Sequence, residues 1–291
     1  MIYDQKRIQF GVCAHNPTHG ICKGYKEHLL EEHIRLAKEM GSTLYRTDVS
    51  AADNPEWLEK LVDLAEANGI DLMLIVYKPG FAKEVAEKFK GRIKYYQILN
   101  EIDCWTFKKI PDQPDNSGKE ISHFIEEKLA GAAETCKQLS AEIREADPDA
   151  KICINGTWTH YGMIQYMMDN GVDFDIVGWD WYSHMENYGL ENCIKDLLEL
   201  SDKDIVFCEL NIFTKLHSEH YRPEYLTKCM DTIYNYPTDR IKGVCFYELL
   251  DEHGHHNPIE AEFGLVFTDD DANIVEPKPA YKAVQKLLVG E

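Results

Sequence analysis

Two short apolar runs of this sequence each end in a glutamate, and these carboxylates are its strongest chemical signal. One run is YYQILNE, which ends at Glu101, and the other is DIVFCE, which ends at Glu209. A carboxylate that closes a buried strand is costly to desolvate unless the site uses it. Glycoside hydrolysis uses such a pair, one as proton donor and the other as nucleophile or base. That chemistry requires elements that bring the two residues together.

The order of the apolar runs predicts those elements. Eight runs recur, most of them followed by an amphipathic helix pattern, at 8–14, 43–49, 72–77, 93–99, 152–156, 174–182, 205–210 and 241–249. Nearly continuous hydrophobicity is expected of strands that are covered on both faces. The alternation predicts an α/β fold, a single (β/α)8 TIM barrel that makes residues 1–291 one catalytic domain. An open doubly wound sheet competes, but it would usually carry a Gly-rich turn where CAHNP follows the first strand.

Apolar spacing predicts helices at 25–40, 116–147 and 279–288. Gly41 would end the first of these, and Asn54-Pro55 would begin another helix that stops at Asn68-Gly69. The segment 104–119 is rich in Pro, Asp and Lys, and we expect it to be a loop along one wall of a cleft.

The composition of the chain limits the classes of partner that it can bind. The net charge is −20, from 31 Lys and Arg against 51 Asp and Glu, so phosphate backbones are poor ligands and no nucleic-acid partner is expected. No apolar stretch approaches the roughly 18 residues that span a membrane. The N-terminus lacks the apolar core of a signal peptide, and the nine cysteines are scattered without CxxC pairs. These features predict a cytoplasmic protein without a membrane partner, either a monomer or a weak homo-oligomer.

Polar and aromatic residues gather where the predicted strands end, which is the catalytic face of such a barrel. Beside the two glutamates, the candidate substrate-binding residues are His15, Arg46, Asp48, Asn100, Trp158, His160, Asp180, Trp181, Tyr182 and Tyr247. Carboxylates for chemistry and aromatic faces for stacking on pyranose rings predict a carbohydrate substrate. Trp158 and Trp181 are the favoured platforms, whereas Trp179 is a candidate for packing against the helices.

The arrangement resembles the retaining glycoside hydrolases of clan A, also called the 4/7 superfamily. The end of the chain is similar to that of family 39 and family 5 members, with FYELLDE at 246–252, FGLV at 263–266 and PKPAY at 277–281. The resemblance implies that Glu101, which follows Asn100 at strand 4, is the acid/base and that Glu209 at strand 7 is the nucleophile. It also implies that Tyr182 hydrogen-bonds the nucleophile. Tyr247 stands where many clan members carry Trp.

This interpretation implies a double displacement without cofactor or metal. The pKa of Glu101 should be raised by apolar walls and the second carboxylate, while Tyr182 and Arg46 would keep Glu209 ionised. Asn100 would bind the sugar 2-hydroxyl, and retention requires carboxyl groups about 5–5.5 Å apart.

Other readings of the same residues remain open. A metal-dependent sugar isomerase or endonuclease barrel could use Glu101, Asp180, Glu209 and Asp251 as ligands. A non-catalytic carbohydrate-binding barrel, or a structural ion pair with Arg46, would need no turnover. The histidines after strand 8 invite a metal, although adjacent loop histidines are more often solvated or in contact with substrate; they are His253, His255 and His256. Neither the sugar and its linkage nor endo- against exo-action follows from the sequence.

Overall fold

Eight parallel strands pair in chain order and close into a barrel, which confirms the predicted (β/α)8 fold. The computed structural model describes residues 3–108, 117–213 and 218–290. The barrel strands are β1 (Gln9–Ala14), β2 (Leu44–Asp48), β3 (Asp71–Val76), β4 (Tyr95–Ile98), β5 (Lys151–Thr157), β6 (Ile176–Tyr182), β7 (Asp204–Asn211) and β8 (Ile241–Phe246). All eight overlap the apolar runs of the sequence.

Both faces of the strands are buried, which explains why the runs lack an apolar–polar alternation. The barrel interior contains a separate apolar cluster with several thiols, namely Cys13, Leu44, Met73, Tyr95, Cys153, Ile176, Val206, Cys208 and Cys245. A larger apolar cluster fills the layer between the strands and the helices.

Helices surround the barrel. They are α1 (Leu30–Met40), α2 (Pro55–Asn68), α3 (Phe81–Lys88), α4 (Ile102–Thr106), α5 (Glu126–Ala146), α6 (Tyr161–Asp169), α7 (Leu190–Leu200), α8 (Ser218–Asn235) and α9 (Pro279–Leu288). The Asn54 side chain accepts a hydrogen bond from the Glu56 backbone N–H at 3.0 Å and caps α2 as predicted. Gly41 and Gly69 end α1 and α2 in the left-handed region, with φ of 92° and 66°. Within the described ranges, none of the helices combines the length and apolar character needed to cross a membrane.

The predicted helix at 116–147 is wrong in its first part. A left-handed Gly118, a 3₁₀ turn at Ile121–His123 and an extended Phe124 precede α5. Phe124 forms a bridge with Phe107, and their rings lie edge to face at 5.5 Å, so this contact holds the chain extended. Residues 109–116, which belong to the predicted loop and helix start, lie outside the described residues. The hairpin of β9 (Val266–Thr268) and β10 (Ile274–Pro277) was not predicted.

Strand β6 depends on a glycine inside the barrel. A Cβ added to Gly178 would lie 2.7 Å from the Cys208 sulfur and 2.8 Å from the Cys153 sulfur. Because side chains alternate along a strand, Asp180 and Tyr182 share the inward face of Gly178. Glycine at this position therefore lets the β5 and β7 thiols meet beneath the two polar residues.

Candidate active site

A cavity of about 390 Å³ opens where the barrel strands end. Its size is within the range of small-molecule sites. Nine of the twelve predicted site residues line it, namely His15, Arg46, Asp48, Asn100, Glu101, Trp158, Tyr182, Glu209 and Tyr247. The strand order thus brings together residues that lie far apart in the sequence.

The two glutamates face each other in this cavity. One carboxylate oxygen from each of Glu101, Glu209 and Asp180 lies within 4.8 Å of the other two. Glu209 lies on β7, whereas Glu101 follows β4 in a sharp turn in which Leu99 and Glu101 have φ of 60° and 45°. Residues other than glycine rarely adopt these angles, and such strain is concentrated at functional sites.

Two donors hold the carboxylate of Glu209. Arg46 donates from Nη1 to Oε1 at 3.0 Å, and the Tyr182 hydroxyl donates to Oε2 at 2.5 Å. The buried guanidinium also donates to Gln97 and to Asn100, both at 2.8 Å. Arg46 therefore orients the nucleophile candidate and the strand-4 amides together.

Among the described residues, no cation contacts Glu101 as Arg46 contacts Glu209. Burial raises the pKa of Glu101 to about 8, the negative charges of Glu209 and Asp103 add to the shift, and Arg46 opposes it only in part. The direction agrees with the sequence-based expectation. This shift favours the protonated form of Glu101 at neutral pH, which is the form that a general acid requires.

Asn155 joins the two glutamate-bearing regions, and the twelve predicted residues did not include it. Its Oδ1 accepts from Gln97 Nε2 at 2.9 Å and from the Glu101 backbone N–H at 3.0 Å. Its Nδ2 donates to Asn100 Oδ1 at 3.1 Å and to Asp180 Oδ2 at 2.7 Å. Gln97 and Asn155 interrupt the apolar runs of β4 and β5, which is a signal that the sequence offers, because buried amides require partners.

A second hydrogen-bonded group forms the β1 side of the cavity. His15 pairs through Nδ1 with Asp48 at 2.9 Å and through Nε2 with the Tyr247 hydroxyl at 3.2 Å. Asn16 donates to the other Asp48 oxygen at 2.5 Å. These contacts fix His15, Asp48 and Tyr247 at the wall where the sequence placed them.

Loop residues complete the cavity. Trp158 is 38% exposed and Tyr77 is 46% exposed, so both offer an aromatic face to a ligand. The other lining residues that were not among the twelve include His19, Cys104, His184, Phe213, His255, His256 and Glu260. Most of them lie in segments without periodicity, so the sequence carries little signal for their position.

Three predicted substrate-binding residues do not line the cavity. Trp181 is fully buried in the layer beneath the helices, because it occupies the outward face of β6 together with Trp179. His160 binds Asp103 at 2.6 Å and stacks on Phe107, so it supports a loop. Asp180 is fully buried below the two glutamates.

Protein contacts already engage two of the three groups that could hold a metal ion. The only three-residue donor groups in the described ranges are His15, His19 and Cys22; Cys22, Glu248 and Glu252; and the trio of Glu101, Asp180 and Glu209. In the first group both ring nitrogens of His15 already have hydrogen-bond partners. Nδ1 of His19 accepts from backbone N–H groups, so Nε2 carries the hydrogen when the ring is neutral and offers no lone pair to a metal. In the third group Arg46 already supplies the positive charge.

The four carboxylates of the metal-dependent alternative do not all come together. Asp251 does not join the other three carboxylates but pairs with the buried Lys278 at 2.7 Å. Of the histidines after strand 8, His253 binds the Thr268 carbonyl oxygen and His255 lies 3.4 Å from Glu260. In the described residues, no three-ligand group includes either histidine.

Known proteins share this architecture. The family model described as glycosyl hydrolase family 10 matches residues 36–287. A solved β-glucosidase from Thermotoga maritima in complex with deoxynojirimycin has a TM-score of 0.74 at 12% identity, over 98% of each chain. A hyperthermophilic β-glucosidase mutant has a TM-score of 0.76 at 13% identity, over 96% of this chain and 99% of the other. Such identities show a common fold alone, and comparison with curated proteins finds no match.

Proposed function

Because the chain belongs to glycosyl hydrolase family 10, we propose that Glu101 is its acid/base and Glu209 its nucleophile. Family membership makes the chain a retaining β-glycoside hydrolase of clan A, and it disfavours the isomerase and carbohydrate-binding alternatives. The resemblance is thus confirmed for the clan, and the family that matches is 10, where the end of the chain had suggested 39 and 5.

The separation of the two carboxylates supports these roles more than any other observation. Their oxygens lie within 4.8 Å, close to the approximately 5–5.5 Å between carboxyl groups of retaining enzymes and well below the 6.5–9.5 Å of inverting ones. Glu209 attacks the anomeric carbon while Glu101 gives its proton to the departing oxygen, which yields a glycosyl ester and a free alcohol. Water then gives a proton to Glu101 and attacks the anomeric carbon, which releases Glu209.

Asn100 is suited to bind the substrate. Its Oδ1 accepts from Arg46, Gln97 and Asn155, at 2.8, 2.8 and 3.1 Å. Its Nδ2 has no hydrogen-bond partner within the described residues, so it can donate to a sugar hydroxyl beside the anomeric centre. Trp158 and Tyr77 offer aromatic faces for further sugar rings.

The substrate is a β-linked oligosaccharide or polysaccharide in this proposal. The β-glucosidases with the same fold make β-glucosides the first class to test. We also propose that residues 1–291 act as one catalytic domain in the cytoplasm, as a monomer or weak homo-oligomer, in polysaccharide degradation.

Azide rescue tests the two roles. With an aryl β-glucoside that has a good leaving group, Glu101→Ala should accumulate the glycosyl ester, and azide should restore turnover and give the β-glycosyl azide. Without azide its rate should fall by about 10²–10⁴-fold. Glu209→Ala should be nearly inactive and give the α-glycosyl azide. Glu87→Ala, at an exposed position of α3, is the control.

Two results would contradict the assignment. One is a wild-type rate in both variants. The other is a first product of the wild-type enzyme with inverted anomeric configuration, as observed by NMR of the anomeric proton.

A further inference from the structure

Asp180 is a third carboxyl group at the catalytic pair, and the mechanism above does not use it. It lies on the inward face of β6, paired in register with Thr157 of β5 and with Glu209 of β7. It has no exposed surface, and its Oδ1 has no hydrogen-bond partner in the described part of the chain. A buried oxygen without a partner is unfavourable unless something else compensates it.

The charges around Asp180 disfavour its ionised form. Among the described residues, the three carboxyl groups share one guanidinium, and the hydrogen bonds of Arg46 go to Glu209, Gln97, Asn100 and the Cys13 sulfur. Burial first, and then the charges of Glu209 and Glu101, raise the pKa of Asp180 well above its ordinary value. An unpaired carboxylate at such a position would take up a proton.

The hydrogen bonds indicate which oxygen carries that proton. Asn155 Nδ2 donates to Asp180 Oδ2, so this oxygen is an acceptor. The proton must then be on Oδ1, the oxygen that has no partner. A neutral Asp180 thus satisfies Asn155 without adding negative charge beside Glu101.

On the basis of the proposed function, we propose that Asp180 stays protonated through both half-reactions and acts as a positioning residue for Glu101. Through Asn155 it fixes Asn100 and the backbone N–H of Glu101. Because Asp180 is neutral, the charge of Glu209 governs the proton affinity of Glu101. When Glu209 becomes an ester that charge disappears, and Glu101 releases its proton more readily and can act as the base.

The pH dependence of Asp180→Asn and Asp180→Ala tests this proposal. The alkaline limb of kcat/KM reports the acid/base group of the free enzyme. Asparagine is neutral and can still accept from Asn155, so the limb should stay at the wild-type pH and kcat should fall only several-fold. Alanine leaves Asn155 without its acceptor, so kcat should fall much further than in the asparagine variant, with KM little changed.

Two kinetic results would overturn the proposal. If Asp180 were ionised, asparagine would remove a charge less than 5 Å from Glu101, and the limb would move down by about two pH units. Equal losses of kcat in the two variants would show that Asp180 does not act through Asn155.

Infrared spectroscopy separates this proposal from the assignment of the catalytic pair. In Glu101→Gln protein labelled with ¹³C at the aspartate carboxyl groups, a neutral aspartic acid band should persist above pH 8 and vanish in the Asp180→Asn background. Absence of the band would overturn the proposal even if Glu101 and Glu209 behave as assigned. Its presence would support a neutral Asp180 even if azide rescue fails.

Discussion

Glu101 and Glu209 close similar strands, yet their surroundings differ. Arg46 and Tyr182 donate to Glu209, whereas Glu101 is buried beside negative charge and has a raised pKa. Two carboxyl groups of the same chemical type thereby differ in their contacts, since Glu209 is paired with a cation while burial favours the protonated form of Glu101.

The raised pKa of Glu101 makes stability depend on pH. The folded protein binds this proton up to about pH 8, whereas the unfolded chain loses it near its ordinary value of 4.5. Stability from this group is present below pH 4.5 and is lost as the pH rises towards 8. Relative to wild type, Glu101→Gln should therefore gain up to about 5 kcal/mol in free energy of unfolding by pH 9. Urea unfolding at several pH values measures this gain, and Glu87→Gln should show none.

Arg46 should stabilise the fold as well as serve the chemistry. Replacing it with methionine leaves Glu209 buried without its cation, and breaking such a pair costs about 3–5 kcal/mol. Arg46→Met/Glu209→Gln should recover part of that loss, because the unpaired charge is gone. Urea unfolding at pH 7 of both single variants and the double variant checks this, and simple additivity of the two losses would contradict it.

Part of the site was predictable from individual residues. Glu101 and Glu209 stand out because each ends an apolar run, where an unused charge would be costly. Proximity to a strand end predicts Trp181 in the cavity, but alternation along β6 points it away from the cavity with Trp179. The position of His160 was not predictable, because a strand-end histidine gives no sign of its partner, Asp103.

Strand β6 shows how backbone packing positions side chains of the site. Gly178 leaves room for two thiols inside the barrel, on the same face of the strand as Asp180 and Tyr182. The sequence predicts this strand from its apolar run, but not the close approach of Cys153 and Cys208, which depends on how neighbouring strands are staggered. For the same reason the extended start of α5 was missed: a contact between Phe107 and Phe124 overrides a local helical pattern.

Gly178→Ala should destabilise the barrel. The new methyl group would overlap both sulfur atoms, and overpacking of a core costs about 1–3 kcal/mol. Adding Cys208→Ala in the same background should restore part of that stability. Gly131→Ala on the exposed face of α5 meets no neighbour and should stabilise by up to about 1 kcal/mol. Thermal unfolding of the four proteins tests this, and equal effects at both glycines would refute it.

The whole molecule carries a net charge of −20 around a cavity that is itself rich in carboxylates. Such a field repels anionic ligands at a distance and is screened by salt.

The closed barrel and its strand order were predictable because they follow from repeated local patterns. The shape of the cavity was not, because loops after several strands build it.

Ionic strength should therefore separate two classes of glycan. KM for a neutral β-glucan oligosaccharide should change little between low salt and about 0.15 M salt, where the screening length is about 8 Å. KM for a uronic-acid oligosaccharide of the same linkage should be higher at low salt and fall as salt is added. Initial rates at constant pH measure both, and the opposite salt dependence would contradict this view of the surface.

Cys104 is a site in the cavity wall for attachment of a reporter group. It is the one exposed thiol among nine cysteines, and it lines the wall a few residues beyond Glu101. Desolvation of the sulfur, and then the charge of the nearby Asp103, raise the pKa of the Cys104 thiol, so an uncharged alkylating reagent at alkaline pH suits it best. A fluorophore attached there would report occupancy of the cavity through its emission, and would allow glycan libraries to be screened for binding without any need for turnover.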